Sequence, residues 1–93
     1  MNKRARAIIS GRVQGVCFRM ETERAAAKYG VYGWVRNRRD GTVEALFEGE
    51  ATAVDDILKW CEKGPPLAMV DRVEITEEPF KNEFKDFTVR YTA

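Results

Sequence analysis

A chain of 93 residues with 44% hydrophobic and 11% aromatic side chains is sized for one domain, 1–93, around a single core. Sixteen basic against fifteen acidic residues leave a net charge of +1, which argues against any partner held by a bulk positive field, nucleic acid or membrane surface alike. Histidine is absent, which removes the commonest general base and the commonest zinc ligand together.

No apolar run approaches the roughly 20 residues of a membrane span. Met1-Asn2-Lys3-Arg4 leads into a strand-like stretch and not into the apolar region of a signal peptide. Cys17 and Cys61 are too few for a disulfide framework and lack metal-ligand spacing. The expectation is a cytoplasmic protein with free thiols.

In chain order, residues 5–11 read as a first strand, and a loop runs from Arg12 to Phe18. Residues 19–29 follow as a helix whose inner face is Thr22, Ala25, Ala26 and Tyr29, with Gly30 ending it. A strand is predicted near 31–36. Asp40-Gly41 then signals a hairpin into a strand that places Val43, Ala45 and Phe47 on one face. Thr42, Glu44, Leu46 and Glu48 fall on the other face. In a second helix, near 52–63, Val54, Ile57, Leu58 and Cys61 form a buried stripe. Thr52 followed by Asp55 is a weak cap signal at its start, and Gly64-Pro65-Pro66 stops it. Strands near 69–77 and 86–91 close the chain.

The order β-α-β-β-α-β, with an extra strand at the end, fits an α+β ferredoxin-like split βαβ sandwich. Two helices would cover one face of a mainly antiparallel sheet. That fold hosts many functions and selects none.

Two segments carry candidate chemistry. Gly11-Arg12-Val13-Gln14-Gly15-Val16-Cys17-Phe18-Arg19 joins a strand to a helix. Such a turn can aim successive amides, the positive end of the helix dipole and a guanidinium fork at one anion. On the residues alone two readings stay open: that cradle, or a plain connection with Arg19 solvated. Asn37 lies where its strand enters the hairpin turn. Its amide either caps the turn or offers a donor and an acceptor to a water or a carbonyl. Arg36, Arg38 and Arg39 read as a solvated edge.

Taken together, the two segments resemble the acylphosphatase family. The first is similar to its Gly-x-Val-Gln-Gly-Val-x-Phe-Arg signature, and Gly33-Trp34-Val35-Arg36-Asn37 through Gly41-Thr42-Val43 to Gly49 is similar to its second. Gly64-Pro65-Pro66 with Ala68, Val70 and Val73, and the ending Phe87-Thr88-Val89-Arg90-Tyr91, extend the resemblance over nearly the whole chain. It implies a ferredoxin-like sandwich that hydrolyses acyl phosphates such as acetyl phosphate, carbamoyl phosphate or 1,3-bisphosphoglycerate, with inorganic phosphate as product and inhibitor. It calls for no cofactor and no metal, and a monomer is the default. In that picture Arg19 and the backbone of Gly15, Val16, Cys17 and Phe18 bind the phosphoryl group, and Asn37 holds the attacking water. The Cys17 thiol is expected to be dispensable. Arg38 stands where animal members often carry a small hydroxyl residue, so a hydroxyl that orients Asn37 is in doubt.

The chemistry suits so sparse a set of residues. The leaving carboxylate needs no protonation, and phosphoryl transfer through a loose transition state asks mainly for positioning and charge. A competing class is the RNA-recognition domain, which shares the element order and stacks bases on sheet aromatics. Phe47, on the face of Val43 and Ala45, reads as core instead. The other alternative is an acylphosphatase-like domain of a larger carbamoyl-transfer enzyme. A free-standing protein is expected.

Overall fold

Ala5, Ala7 and Ile9 alternate along the first strand and are fully buried, as a period of two requires when one sheet face is covered. The computed structural model, which describes residues 1–93, shows that strand as β1 (Asn2–Arg12). There follow α1 (Phe18–Tyr29), β2 (Tyr32–Asn37), β3 (Val43–Glu50), α2 (Ala51–Lys63), β4 (Met69–Glu78) and β5 (Phe87–Val89). The sheet order is β4-β1-β3-β2-β5, antiparallel except where β5 joins β2 in parallel. This is the ferredoxin-like arrangement with a short fifth strand on one edge.

One core cluster joins the inward residues of the sheet to both helices. From α1 it takes Phe18, Ala25 and Ala26, with Thr22 also buried, and from α2 Val54, Ile57, Leu58 and Cys61. Phe47 lies inside it, stacked on Phe87 at 5.7 Å, which leaves no aromatic platform at that position. No helix is long and apolar enough to cross a membrane.

Two expectations need correction. Thr52 does not cap α2. β3 runs directly into the helix, so Glu50, extended at φ −60° and ψ 138°, is the capping position. The amide of Ala51 donates to the Met1 carbonyl at 2.8 Å, and the Thr52 hydroxyl turns back to Glu50. The polar face of β3 is also less open than its alternation suggests, because Glu44 and Glu48 are buried there. Cross-strand register supplies the reason: Arg4 faces Glu48, and Arg36 faces Glu44. Arg4 bonds Glu48, Glu78 and Glu83, while Glu44 is shared by Arg6 and Arg36 at 2.6 and 2.8 Å. Trp34 lies among three guanidiniums, those of Arg36 (4.7 Å), Arg90 (4.9 Å) and Arg6 (5.7 Å).

Glu48 also fastens the segment between β4 and β5, accepting the amides of Lys81 at 2.8 Å and Glu83 at 2.9 Å. Burial alone would push this carboxyl up, but those two amides and Arg4 outweigh it and hold its pKa below the ordinary value. A carboxyl depressed in the folded state stabilises fully above its unfolded pKa of about 4.3, and that contribution is lost as pH falls through the folded value. Glu44, depressed by Arg36 and Arg6 against its own burial, acts with the same sign. The urea midpoint is therefore expected to stay flat from neutrality to about pH 5 and to fall steeply below about pH 4.3. Glu48→Gln should lower the neutral midpoint and flatten the acid slope. An unchanged slope would remove Glu48 from this account.

Candidate active site

The position of Arg19 is set by its neighbour. Phe18 buries its ring against Trp60, with centroids 5.7 Å apart, and so pins the first turn of α1. The ring also reaches the end of α2, where a Cβ on Gly64 would come within 2.6 Å of it. Only glycine allows that approach.

The loop before the helix is shaped by two left-handed residues. Gly15 has φ 75° and Cys17 φ 65°, with Val16 between them at negative φ. A Cβ at Gly15 would meet nothing within 4 Å, so backbone angle and not space is what favours glycine there. Alternating handedness of this kind gathers successive amides into an anion-binding nest. The first helical bond runs from the Glu21 amide to the Cys17 carbonyl at 3.0 Å. Ahead of it, the amides of Gly15, Val16 and Cys17 donate to no carbonyl of the chain. Those of Phe18, Arg19 and Met20 lie in the first turn, which helix geometry leaves without internal acceptors. The side chains of Val16 and Phe18 are buried in the core, so only their backbone faces outward chemistry.

Asn37 ends β2, paired with Val43. It does not cap the turn. Asp40 does so, accepting the Thr42 amide at 3.0 Å and the Thr42 hydroxyl at 2.6 Å, while the Gly41 amide bonds the Arg38 carbonyl. Arg38 turns toward Asp40 at 3.5 Å. The Asn37 side chain has no hydrogen-bond partner in the chain and stays half-buried.

A cavity of about 470 Å³ brings these pieces together, with Gly15, Cys17, Arg19 and Asn37 on its wall. Arg4, Arg6 and Arg36 are each tied to a carboxylate, whereas Arg19, also partly buried, enters no ion pair. Its positive charge is left for whatever occupies the cavity. Cys17 is exposed beside it, and the wall's only acid is Glu23. Cys61 is far from this role, fully buried, its thiol pushed up by desolvation.

Sequence reading missed Gln14. Its side-chain amide donates to the carbonyls of Arg38 at 2.7 Å and Thr42 at 2.9 Å, so it ties the loop to the hairpin that carries Asn37. The available signal was a lone polar residue between Val13 and Gly15. Met20, Glu23 and Val89 were also passed over as wall residues.

The Acylphosphatase family model matches residues 5–89. A relative named acylphosphatase from Rubrobacter xylanophilus is 56% identical over 88 residues, covering 95% of this chain and 80% of that protein. Among solved structures, the acylphosphatase from Bacillus subtilis superposes with a TM-score of 0.92 at 36% identity, over 98% of this chain and 100% of that one. HypF from T. kodakarensis matches at 30% identity and a TM-score of 0.82, over 95% of this chain and 12% of that one. Agreement of sequence along almost the full length, on the same fold, leaves one conclusion: the chain belongs to the acylphosphatase family.

Proposed function

We propose that this site hydrolyses the carboxyl–phosphate anhydride of acyl phosphates by direct attack of water on phosphorus. Arg19 and the amides of Gly15, Val16, Cys17 and Phe18 hold the phosphoryl oxygens. Asn37 orients the water from the opposite side. A bond forms between the water oxygen and phosphorus as the bond from phosphorus to the acyl oxygen breaks, and that electron pair leaves with the carboxylate. Asn37 cannot take the water's proton, which passes to a phosphoryl oxygen. The products are a carboxylate and inorganic phosphate. Phosphate then competes with substrate for the same groups.

One observation carries this reading: an unpaired, partly buried guanidinium beside amides that have no acceptor, on the wall of the cavity that also holds Asn37. Such a site gains most from charge developing on equatorial phosphoryl oxygens. The wall carries no histidine or lysine beside Cys17, and in this reading its thiol is not the nucleophile. The protein is read as a cytoplasmic monomer that works without a metal.

Phosphate release is the test, with acetyl and carbamoyl phosphate as substrates and p-nitrophenyl phosphate and ATP as controls. Turnover is expected for the two anhydrides alone, and it should survive exhaustive chelation. Activity lost on chelation and restored by a divalent ion would overturn the mechanism.

A further inference from the structure

The two halves of the site lie on separate segments. Gly15, Cys17 and Arg19 belong to the loop after β1 and the first turn of α1, and Asn37 to the end of β2. Strand pairing does not join them, because β1 and β3 last pair at Ile9 and Val43, before the loop begins. Past that point no main-chain bond runs from residues 13–17 to the hairpin. The only hydrogen bonds between the two come from one nitrogen, Nε2 of Gln14, which donates to the carbonyls of Arg38 at 2.7 Å and Thr42 at 2.9 Å.

Both hydrogens of that nitrogen are thereby used, one on each arm of the hairpin. Arg38 follows Asn37 in the chain, and Thr42 precedes Val43, the residue paired with Asn37. Gln14 therefore grips the backbone on both sides of the Asn37–Val43 pair. The Asn37 side chain has no hydrogen-bond partner in the chain, so its place is inherited from that backbone. Asp40 and the main chain of Ala93 shape the hairpin and its edge, but neither reaches the loop.

We infer that Gln14 is a positioning residue: its clamp sets the separation between the groups that hold the phosphoryl oxygens and the water oriented by Asn37. This rests on the hydrolysis proposed above. Attack on phosphorus needs the water in line and at the right distance, and a displacement of about 1 Å costs of the order of 10²-fold. The loop itself does not hang on the clamp, because Val16 and Phe18 anchor it in the core. Loss of Gln14 thus disturbs the water and spares the anion cradle.

The experiment measures kcat for acetyl phosphate and Ki for inorganic phosphate in the wild type, Gln14→Met, Gln14→Glu, Asn37→Ala and the Gln14→Met/Asn37→Ala double variant. Methionine keeps the length of the side chain without a donor, and glutamate at neutral pH turns an acceptor toward the two carbonyls. Both should fold by circular dichroism, since the Arg38 carbonyl keeps the Gly41 amide and the Thr42 carbonyl keeps the Arg38 amide. Turnover is expected to fall roughly 10- to 100-fold in Gln14→Met and further in Gln14→Glu, with phosphate Ki within about twofold of wild type. On top of Asn37→Ala, Gln14→Met should cost less than about twofold, because the group it positions is already gone. A purely structural role would instead cost as much in either background. Equal losses in both backgrounds, a phosphate Ki that weakens in step with kcat, unchanged turnover in Gln14→Met, or failure of both single Gln14 variants to fold each overturns the inference while the hydrolase mechanism stands. A wild type inert on acetyl phosphate, or an Asn37→Ala protein as active as wild type, would instead remove the mechanism, and the role of Gln14 with it.

Discussion

Replacing Arg19 by alanine is expected to lower kcat/KM for acetyl phosphate by roughly 10³-fold or more, the scale of deleting a guanidinium from a phosphoryl transition state. Competitive inhibition by inorganic phosphate should weaken with it, because in the proposed mechanism the same fork holds the product. Lysine should rescue little, since an ammonium is a point charge and cannot present two parallel donors. The variant should keep its fold. Arg19 pairs with no carboxylate, so its removal strands no buried partner. Circular dichroism and phosphate Ki, measured beside kcat, decide the matter. A folded Arg19→Ala protein with unaltered phosphate Ki would remove Arg19 from the anion site.

Asn37→Ala should separate cleanly from that result. A side chain that only orients water contributes to the transition state and not to holding phosphate, so Ki for phosphate should stay close to wild type. Turnover should nevertheless fall roughly 10²-fold or more, the effect of misplacing a reactant or losing one aimed polar group. Truncation leaves the turn intact, because Asp40 and not Asn37 closes it. Main-chain bonds of β2 are also untouched, including the Asn37 carbonyl that accepts the Ala93 amide at 3.1 Å. If phosphate inhibition collapsed as severely as in Arg19→Ala, the water-positioning role would be lost and Asn37 would join the anion cradle.

What could be read in advance follows the range of the interactions. Local periodicity placed the buried stripe of α2 at Val54, Ile57, Leu58 and Cys61, and all four are buried. Phe47 and its alternating neighbours were equally legible, since a strand's inward face needs no knowledge of its partners. The far side of β3 was not, because the burial of Glu44 and Glu48 comes from arginines on β1 and β2 that only the register brings opposite. The cap of α2 was missed for a related reason: a strand that passes into a helix without a loop leaves no room for the usual serine or threonine signal. At the site, residues alone left Arg19 and Asn37 each with two readings, and family resemblance joined them. Gln14 and Val89 stayed invisible. Gln14 acts on carbonyls 24 and 28 positions away, and Val89 reaches the wall only because β5 pairs with β2 opposite Val35.

The placement of β1 between β3 and β4 also orders events in time. Arg4 is paired in register with Glu48 on one side and Glu78 on the other. During synthesis, β1 leaves the ribosome before either of its partners, has none until residues near 43 emerge, and is not enclosed until β4 is complete. The helices and the β2–β3 hairpin rest on nearby contacts, whereas β1 waits for distant ones that carry the larger loop-closure cost. The loop before α1 hangs directly from the end of β1, and Gln14 ties it to the hairpin that carries Asn37. Recovery of enzymatic activity is thus expected to come at the end of folding, later than the appearance of helical signal.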